Sequence, residues 1–435
     1  MRPHRSRPRL RALALALAFG SLATIGWAAP LGVAVAADLE ALFELLTDAY
    51  ADSATPPVRV DEGEHLVLRH GEPGWRHTGA VAVLPGVVLE IVADHDEAAP
   101  FMRFATSAAG QRILVSAGFL PDHVRVTDGA GRSFDVAQPV ARLASPYGVA
   151  TYLAYGVGAG DRIVLAGFLG ARDPEGAAAM TRIDRRFPDL HAVTSQAAVN
   201  VETIAGAAPD VVFAAARSEW IGAVEALGIP VVVFDGESSE GLVAGMRLAG
   251  KIFGPDAAAR AEAWISYYEH VLEKVDAATS GANARPSVLF TGTARTTVAS
   301  GAMYQSALIA AAGGTSSTAA LPGYWNEVGV EQVLLWNPEV ILVPPYGGAS
   351  VAAIEADAEW RLLDAVRAGR VLRVPKLVAP WDTPVPDSVL AVVWLAEVLH
   401  PGAVDLDCAS EAAFFYRRFY DYQIGSEEVD VLCSP

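Results

Sequence analysis

Beyond Val124 the chain alternates two kinds of text: short runs of β-branched and aliphatic residues, and longer Ala-rich stretches with amphipathic spacing. The runs are Arg162 to Leu165, Val211 to Phe213, Val231 to Phe234, Ser287 to Phe290, Val340 to Val343 and Val371 to Val374. Strand-length apolar runs separated by helix-length amphipathic ones predict parallel sheets covered by helices, because a parallel crossover needs a helix to carry the chain back. With 435 residues, 52% of them hydrophobic, the chain exceeds the ~100–200 residues of one ordinary domain. Two or more packed units are expected.

One phrase occurs twice. Val199-Asn200-Val201-Glu202 runs on to Pro209-Asp210-Val211-Val212, and Val328-Gly329-Val330-Glu331 runs on to Pro338-Glu339-Val340-Ile341, with the same Glu-to-Pro spacing. Each copy reads as a short helix that begins at the glutamate, where a carboxylate suits the positive helix end, stops before the proline and gives way to a buried strand. Glu202 and Glu331 then hold equivalent places in two units. If an approximate twofold relates those units, both point from one face, a geometry that suits a symmetric two-subunit partner. Plain helix-start charges, each contributing about 0.3–1 kcal/mol, would give the same text.

Between the copies, Gly254, Pro255 and Asp256 punctuate and cap the start of a helix whose apolar residues Trp264, Ile265, Tyr268, Val271, Leu272 and Val275 recur at three- and four-residue spacing. Gly281 closes the region. A helix of about 24 residues spans about 36 Å, enough for a stiff strut between two lobes. An ordinary surface helix within one lobe has the same pattern.

The first residues read as an export signal. Arg2, Arg5, Arg7, Arg9 and Arg11 precede an apolar run from Leu10 to Trp27, and Ala34-Val35-Ala36 places cleavage near Ala36 or Ala37. No cysteine follows that run to carry a lipid, so a soluble periplasmic or secreted product is expected. The net charge of −18 argues against a nucleic-acid surface, which needs clustered Lys and Arg. The chain has two cysteines, Cys408 and Cys433. In an oxidising compartment they are expected to pair and close a C-terminal loop, with two separate buried thiols as the alternative.

Further phrases run through the same stretch. They include Val126-Thr127-Asp128-Gly129, Tyr155-Gly156-Val157-Gly158-Ala159-Gly160-Asp161-Arg162, Leu227-Gly228-Ile229-Pro230, Ala311-Ala312-Gly313-Gly314, Ala379-Pro380-Trp381-Asp382 and Phe415-Tyr416-Arg417-Arg418-Phe419-Tyr420. In this order they resemble the ABC-importer periplasmic substrate-binding proteins of the iron-chelate and cobalamin family, class III. The resemblance implies an α/β protein of two lobes with central, mainly parallel sheets joined by a single long helix, here preceded by a small N-terminal α/β extension. Boundaries follow: a signal peptide at 1–37, an accessory region at 38–123, the first lobe at 124–253, the interlobe helix at 254–282, and the second lobe with its tail at 283–435. It further implies a monomer without catalytic residues or a permanently bound cofactor. Its ligand would be a transported chelate such as a ferric siderophore, a corrinoid or haem. The partners would be a dimeric permease and its ATPase subunits, with Glu202 and Glu331 meeting permease arginines.

Ligands of parallel α/β sheets sit outside the carboxyl ends of the strands, and binding sites favour domain interfaces. Loops after the predicted strands hold Ser145, Pro146, Tyr147, Arg172, Arg217 and Trp220 in the first lobe. In the second they hold Arg295, Tyr304, Tyr324, Trp325, Tyr346 and Trp381. Tyr147, Arg217, Arg295, Tyr304, Trp325 and Trp381 are the ligand-binding choices: rings stack on a macrocycle or catecholate, and guanidinium forks take an anionic chelate. Any one of these aromatics could equally be a packing anchor. A bare transition metal would need convergent His and carboxylate groups, yet the family-like region holds only His191, His270 and His400.

Residues 38–123 look polar and irregular, with one helix-like segment at Leu39 to Tyr50 and strand-like runs at Val81 to Leu84 and Val87 to Val92. Phe101-Met102-Arg103-Phe104 and Gly110-Gln111-Arg112-Ile113-Leu114 faintly resemble the closing helix of oxyanion-binding proteins of another class, as a remnant or small accessory module. That keeps molybdate or tungstate open as a ligand. A ligand sensor on the same fold and a secreted hydrolase are the other readings. The hydrolase lacks a G-x-S-x-G elbow, and Ser145 before Pro146 has the wrong context for one.

Overall fold

The computed structural model describes residues 32–434, apart from 52–57, 60–64, 71–79, 94–95, 97, 169–173, 194–198, 237 and 282–284. In the first lobe five strands lie in the order His191–Val193, Ile163–Gly167, Leu143–Ser145, Val211–Ala215 and Val231–Phe234, all parallel. The first strand in sequence is central, and the chain reverses direction across the sheet between Leu143–Ser145 and Val211–Ala215. That reversal opens a crevice at the strands' carboxyl ends, where a ligand can meet backbone and loop side chains. Leu143–Ser145, Val211–Ala215 and Val231–Phe234 are buried along their whole length, as a sheet covered on both faces requires. A hairpin, His123–Thr127 with Ser133–Ala137, flanks this lobe.

The second lobe repeats the plan with Thr315–Ser316, Ser287–Phe290, Val340–Val343 and Val371–Arg373, again all parallel. Here the reversal falls between Ser287–Phe290 and Val340–Val343. A two-stranded ribbon, Thr297–Ala299 with Trp325–Glu327, stands beside it. The helix between the lobes runs Pro255–Thr279, 25 residues or about 37 Å. It buries Trp264, Tyr267, Tyr268, Val271 and Val275 against both lobes, so it is a core strut and not a surface helix. Gly254 turns the chain into it at φ +101°, and a Cβ there would lie 2.6 Å from the Gln111 amide nitrogen. Asp256 does not cap the strut. Its carboxylate accepts from Ala82 N at 3.1 Å and from Arg260 Nε at 3.1 Å.

That contact with Ala82 belongs to the N-terminal region, which is not irregular. Strands Val58–Arg59, Gly32–Val35, Leu66–His70, Val87–Ile91 and Ala80–Leu84 form one sheet, the first three parallel and the last two antiparallel. Helices Glu40–Ala51, Ala98–Thr106 and Ala108–Ser116 accompany it. The region has a core of its own, around Leu42, Leu46, Leu66, Leu89, Phe101 and Leu114. Cleavage near Ala36 or Ala37 is hard to reconcile with this sheet, because Gly32–Val35 lies inside it with a neighbour on either side. Removing an inner strand would strip two ladders at once. The segment expected to carry the export signal otherwise lies outside the described residues.

At the other end, helices Cys408–Phe419 and Ser426–Cys433 are joined by the disulfide Cys408–Cys433. A crosslink closing a loop of this size contributes about 3 kcal/mol by restricting the unfolded tail. No helix among the described residues is long and apolar enough to cross a membrane.

Candidate functional site

The repeated phrase has the same local geometry in both lobes. Val201–Gly206 and Val330–Trp336 are short helices with Glu202 and Glu331 in their first turns, both exposed. The residue before each proline, Ala208 and Asn337, takes a positive φ of 44° and 38°. This left-handed step ends the helix and is uncommon outside glycine, so finding it twice at matched positions marks one design used twice. The acid after each proline does the same work as well. Asp210 accepts from Ala141 N and Arg142 N, and Glu339 accepts from Ser287 N at 2.8 Å, so each fastens the adjacent strand of its sheet. Each helix leads back into a strand, which puts its N-terminus on the carboxyl-end side of the sheet. In both lobes that is the side of the crevice.

Across the crevice the lobes are linked by the second lobe's segment 376–387. Tyr152 of the first lobe donates its hydroxyl to Val378 O at 2.7 Å, and Trp264 of the strut donates to Pro386 O at 3.2 Å. Two carboxyls of this segment are fully buried. Burial pushes Asp387 up to about 7, opposed by hydrogen bonds from Tyr420 and Tyr416. Burial likewise pushes Asp382 up to about 6, and its Oδ2 accepts from Tyr346 at 2.7 Å. Tyr346 follows the strand Val340–Val343 at the second lobe's point of reversal. Asp382 therefore fixes the loop that floors that half of the crevice.

An open-sided cavity of about 740 Å³ lies between the start of the first lobe's helix Pro174–Ile183 and the end of the second lobe's strand Val371–Arg373. Pro174 and Glu175 bound it from the first lobe, after Ile163–Gly167. Arg373, Pro375 and Lys376 bound it from the second, at the end of Val371–Arg373. Arg373 and Lys376 were not foreseen as site residues. Their signal in the sequence was Arg373-Val374-Pro375-Lys376 at a strand's carboxyl end, two cations where the chain can no longer continue the sheet.

The six ligand-binding choices separate into three kinds. Arg217 is exposed in the loop after Val211–Ala215, beside the first lobe's reversal. Arg295 is exposed after Ser287–Phe290, with its guanidinium 2.8 Å from Asp357. Trp325 is 39% exposed and neighbouring Tyr324 56%. The Trp325 ring lies over Gly292, where a Cβ would stand 3.0 Å from it, so the indole borders the strand end. Tyr147 holds the foreseen strand-end place but is covered.

Tyr304 and Trp381 are corrections. Tyr304 is 1% exposed on helix Tyr304–Ala311 with its hydroxyl 2.7 Å from Ser388, and Trp381 is 0% exposed and donates to Tyr416 at 3.3 Å. Both anchor packing within the second lobe, because a buried ring whose polar tip finds an internal partner has nothing left to offer a solute. Arg172 lies outside the described residues. Among the described residues no group of three or more His, Cys, Asp and Glu side chains is arranged to hold a metal ion.

Comparison with known proteins gives a consistent answer. The model of the periplasmic binding protein family matches residues 158–377, half of the chain. The molybdate-binding protein MolA of Haemophilus influenzae is 27% identical over 246 residues, which cover 51% of this chain and 70% of that protein. A periplasmic solute binding protein of Veillonella parvula superposes with a TM-score of 0.62 at 25% identity, covering 71% of this chain and 96% of that one. Molybdate-bound MolA gives a TM-score of 0.62 at 21% identity, covering 69% and 99%. Helicobacter pylori CeuE in complex with nickel and histidine gives 0.60 at 16%, covering 71% and 98%. The last two likenesses bear on the fold alone.

Proposed function

The chain belongs to the periplasmic binding protein family, in its iron-chelate and cobalamin class, whose members work with ABC transporters, and we propose that it captures an anionic metal chelate between its lobes and delivers it to a permease. The observation that carries this reading is the cavity of about 740 Å³ that takes one wall from a helix start of the first lobe and another from a strand end of the second, where Arg373 and Lys376 stand. Arg217 stands at the first lobe's point of reversal and adds positive charge beyond the cavity lining, while Arg295 at the second lobe's is paired with Asp357. Exposed Trp325 and Tyr324 add flat apolar surface. Cations with rings suit a ferric siderophore of carboxylate or catecholate type, and the same surfaces would take haem or a corrinoid.

A tetrahedral oxyanion is the second reading, and the curated relative favours it, since that protein binds molybdate. Both readings need cations facing an anionic, metal-bearing solute. They differ in whether an organic rim must be accommodated. The N-terminal region stays, in this reading, an accessory module docked on the strut, and export to the periplasm requires a cut upstream of Gly32.

Tryptophan fluorescence separates the site from the core. Titration with the bound chelate is expected to quench emission by about a tenth to a third, since Trp325 is one of nine tryptophans and stacking against an acceptor quenches the one it touches. Trp325→Phe is expected to remove the response while Trp381→Phe keeps it. A response that survives in Trp325→Phe would take that indole out of the site.

A further inference from the structure

Resting on the reading above, we propose that the disulfide-anchored helix Ser426–Cys433 forms a third wall of the crevice and contacts the organic rim of the captured chelate. Val431, Leu432 and Ser434 border the same cavity as Glu175 of the first lobe and Arg373 of the second. Leu432 is 2% exposed and packs inward, whereas Val431 is 79% exposed, a bare aliphatic group beside two cations. Ser434 already donates its hydroxyl to Asp430 O at 2.6 Å, so what this wall turns to the cavity is mainly aliphatic and suits a naked oxyanion, whose surface is all oxygen, poorly. It fits the hydrocarbon edge of a chelate whose charge faces Arg373 and Lys376.

The wall is held from several sides, so it is in place before a ligand arrives. At one end Cys433 is bonded to Cys408. At the other, Arg182 on the first lobe's helix Pro174–Ile183 donates to Tyr422 Oη at 2.8 Å and pairs with Glu428, while Tyr422 donates to Glu428 at 2.7 Å. The preceding helix is fixed to the strut by Tyr267, whose hydroxyl donates to Glu411 at 2.8 Å. A segment that follows the second lobe in sequence is thereby tied to the first. The same helix Pro174–Ile183 that supplies Glu175 to the cavity receives the tie, so the wall keeps its distance from the opposite side. Ordering it in advance removes an entropy loss that binding would otherwise carry.

The test uses the full exported chain and two probes, ferric enterobactin as a tricatecholate and sodium molybdate. Val431→Asp puts a carboxylate where the chelate rim should lie and is expected to weaken ferric enterobactin about tenfold or more, the loss that follows from removing one aliphatic contact and adding like charge. Val431→Leu is expected to bind as the wild type does, and both variants should melt at the wild-type temperature. Arg182→Ala, which unties the helix without touching the cavity, is expected to speed dissociation. Wild-type affinity for ferric enterobactin in Val431→Asp would overturn the wall and leave the binding-protein reading intact. Binding of molybdate alone by the wild type would also overturn the wall. A wild-type chain that takes up neither probe nor any other metal-bearing anion removes the reading itself.

Discussion

Reversing the charge at both repeated glutamates, Glu202→Arg with Glu331→Arg, is expected to reduce ligand import at least a hundredfold while changing solute affinity less than about twofold. Close charge pairs across a protein interface couple by about 1.5–7 kcal/mol, and each 1.4 kcal/mol is tenfold. Two such pairs turned from attraction to repulsion exceed that loss comfortably. Neither residue borders the cavity, which is walled by Glu175, Arg373, Lys376 and the C-terminal helix, so capture should survive. The matched left-handed steps at Ala208 and Asn337 and the matched strand ties of Asp210 and Glu339 make the two glutamates equivalent in local geometry. A partner of two like subunits can then use both at once. Uptake by reconstituted transporter vesicles measures this, and near-normal import by the double variant would remove the docking role. The single variants are expected to lie between, each losing about tenfold or more.

Arg162→Ala is expected to lower the unfolding free energy by about 2–3 kcal/mol, the upper part of the range for leaving a buried acceptor without its donor. The side chain is 5% exposed and lies where three parts of the molecule converge. Its Nη1 donates to Val140 O at 2.9 Å and Phe253 O at 3.1 Å, and its Nη2 donates to Thr106 O at 3.0 Å. Val140 leads into the first lobe's central strand, Phe253 ends the helix before the strut, and Thr106 ends a helix of the N-terminal module. The Phe253 ring packs against the guanidinium, 5.6 Å from its centre. Burial lowers the guanidinium's proton affinity, yet an arginine stays charged at any ordinary pH; the Gln111 amide shares two of the carbonyls, donating to Phe253 O at 2.9 Å and Thr106 O at 3.2 Å. Arg162→Lys should recover little, since one ammonium cannot reach carbonyls spread over a fork. Urea unfolding measures the loss, and limited proteolysis should show the N-terminal module released first. A loss below 1 kcal/mol would mean that the module does not depend on this residue.

Much of the two-lobe plan was legible because its strands are buried on both faces. Val231–Phe234, Ser287–Phe290 and Val340–Val343 match the apolar runs end for end, since a fully covered strand shows itself as a block of Val, Ile, Leu and Phe. The repeat was visible for a different reason: a carboxylate at the helix start and a proline at its end are both set by local backbone chemistry. The N-terminal module was legible in part: the helix expected over Leu39 to Tyr50 and the strands expected at Val81 to Leu84 and Val87 to Val92 are Glu40–Ala51, Ala80–Leu84 and Val87–Ile91. Its remaining strands were missed: Gly32–Val35 has the small-residue composition of a signal's end, so composition pointed to processing where pairing shows a sheet.

Exposure of the candidate site residues was legible only in part. Arg217, Arg295 and Trp325 are exposed near carboxyl ends of strands, as expected from their loops, but they lie outside the lining of the cavity between the lobes. Tyr304 and Trp381 misled because a ring in a loop-like stretch reads the same whether it faces solvent or a neighbouring helix. The difference is made by Ser388 and Tyr416, which are far from them in sequence and meet their polar tips in the fold. The C-terminal helix was invisible as a site element for the same reason. Only the disulfide and the tie to Arg182 bring Val431 to the crevice.

Native mass spectrometry of the purified chain, offered ferric enterobactin, haem, cobalamin, molybdate and tungstate in turn, tests most directly whether the paired lobes exist to hold one solute. The expected spectrum shows a single adduct per chain with an anionic metal-bearing partner, released unchanged in mass when the protein is unfolded. Spectra without an adduct for every member of the panel, or a ligand returned chemically altered, would contradict the account.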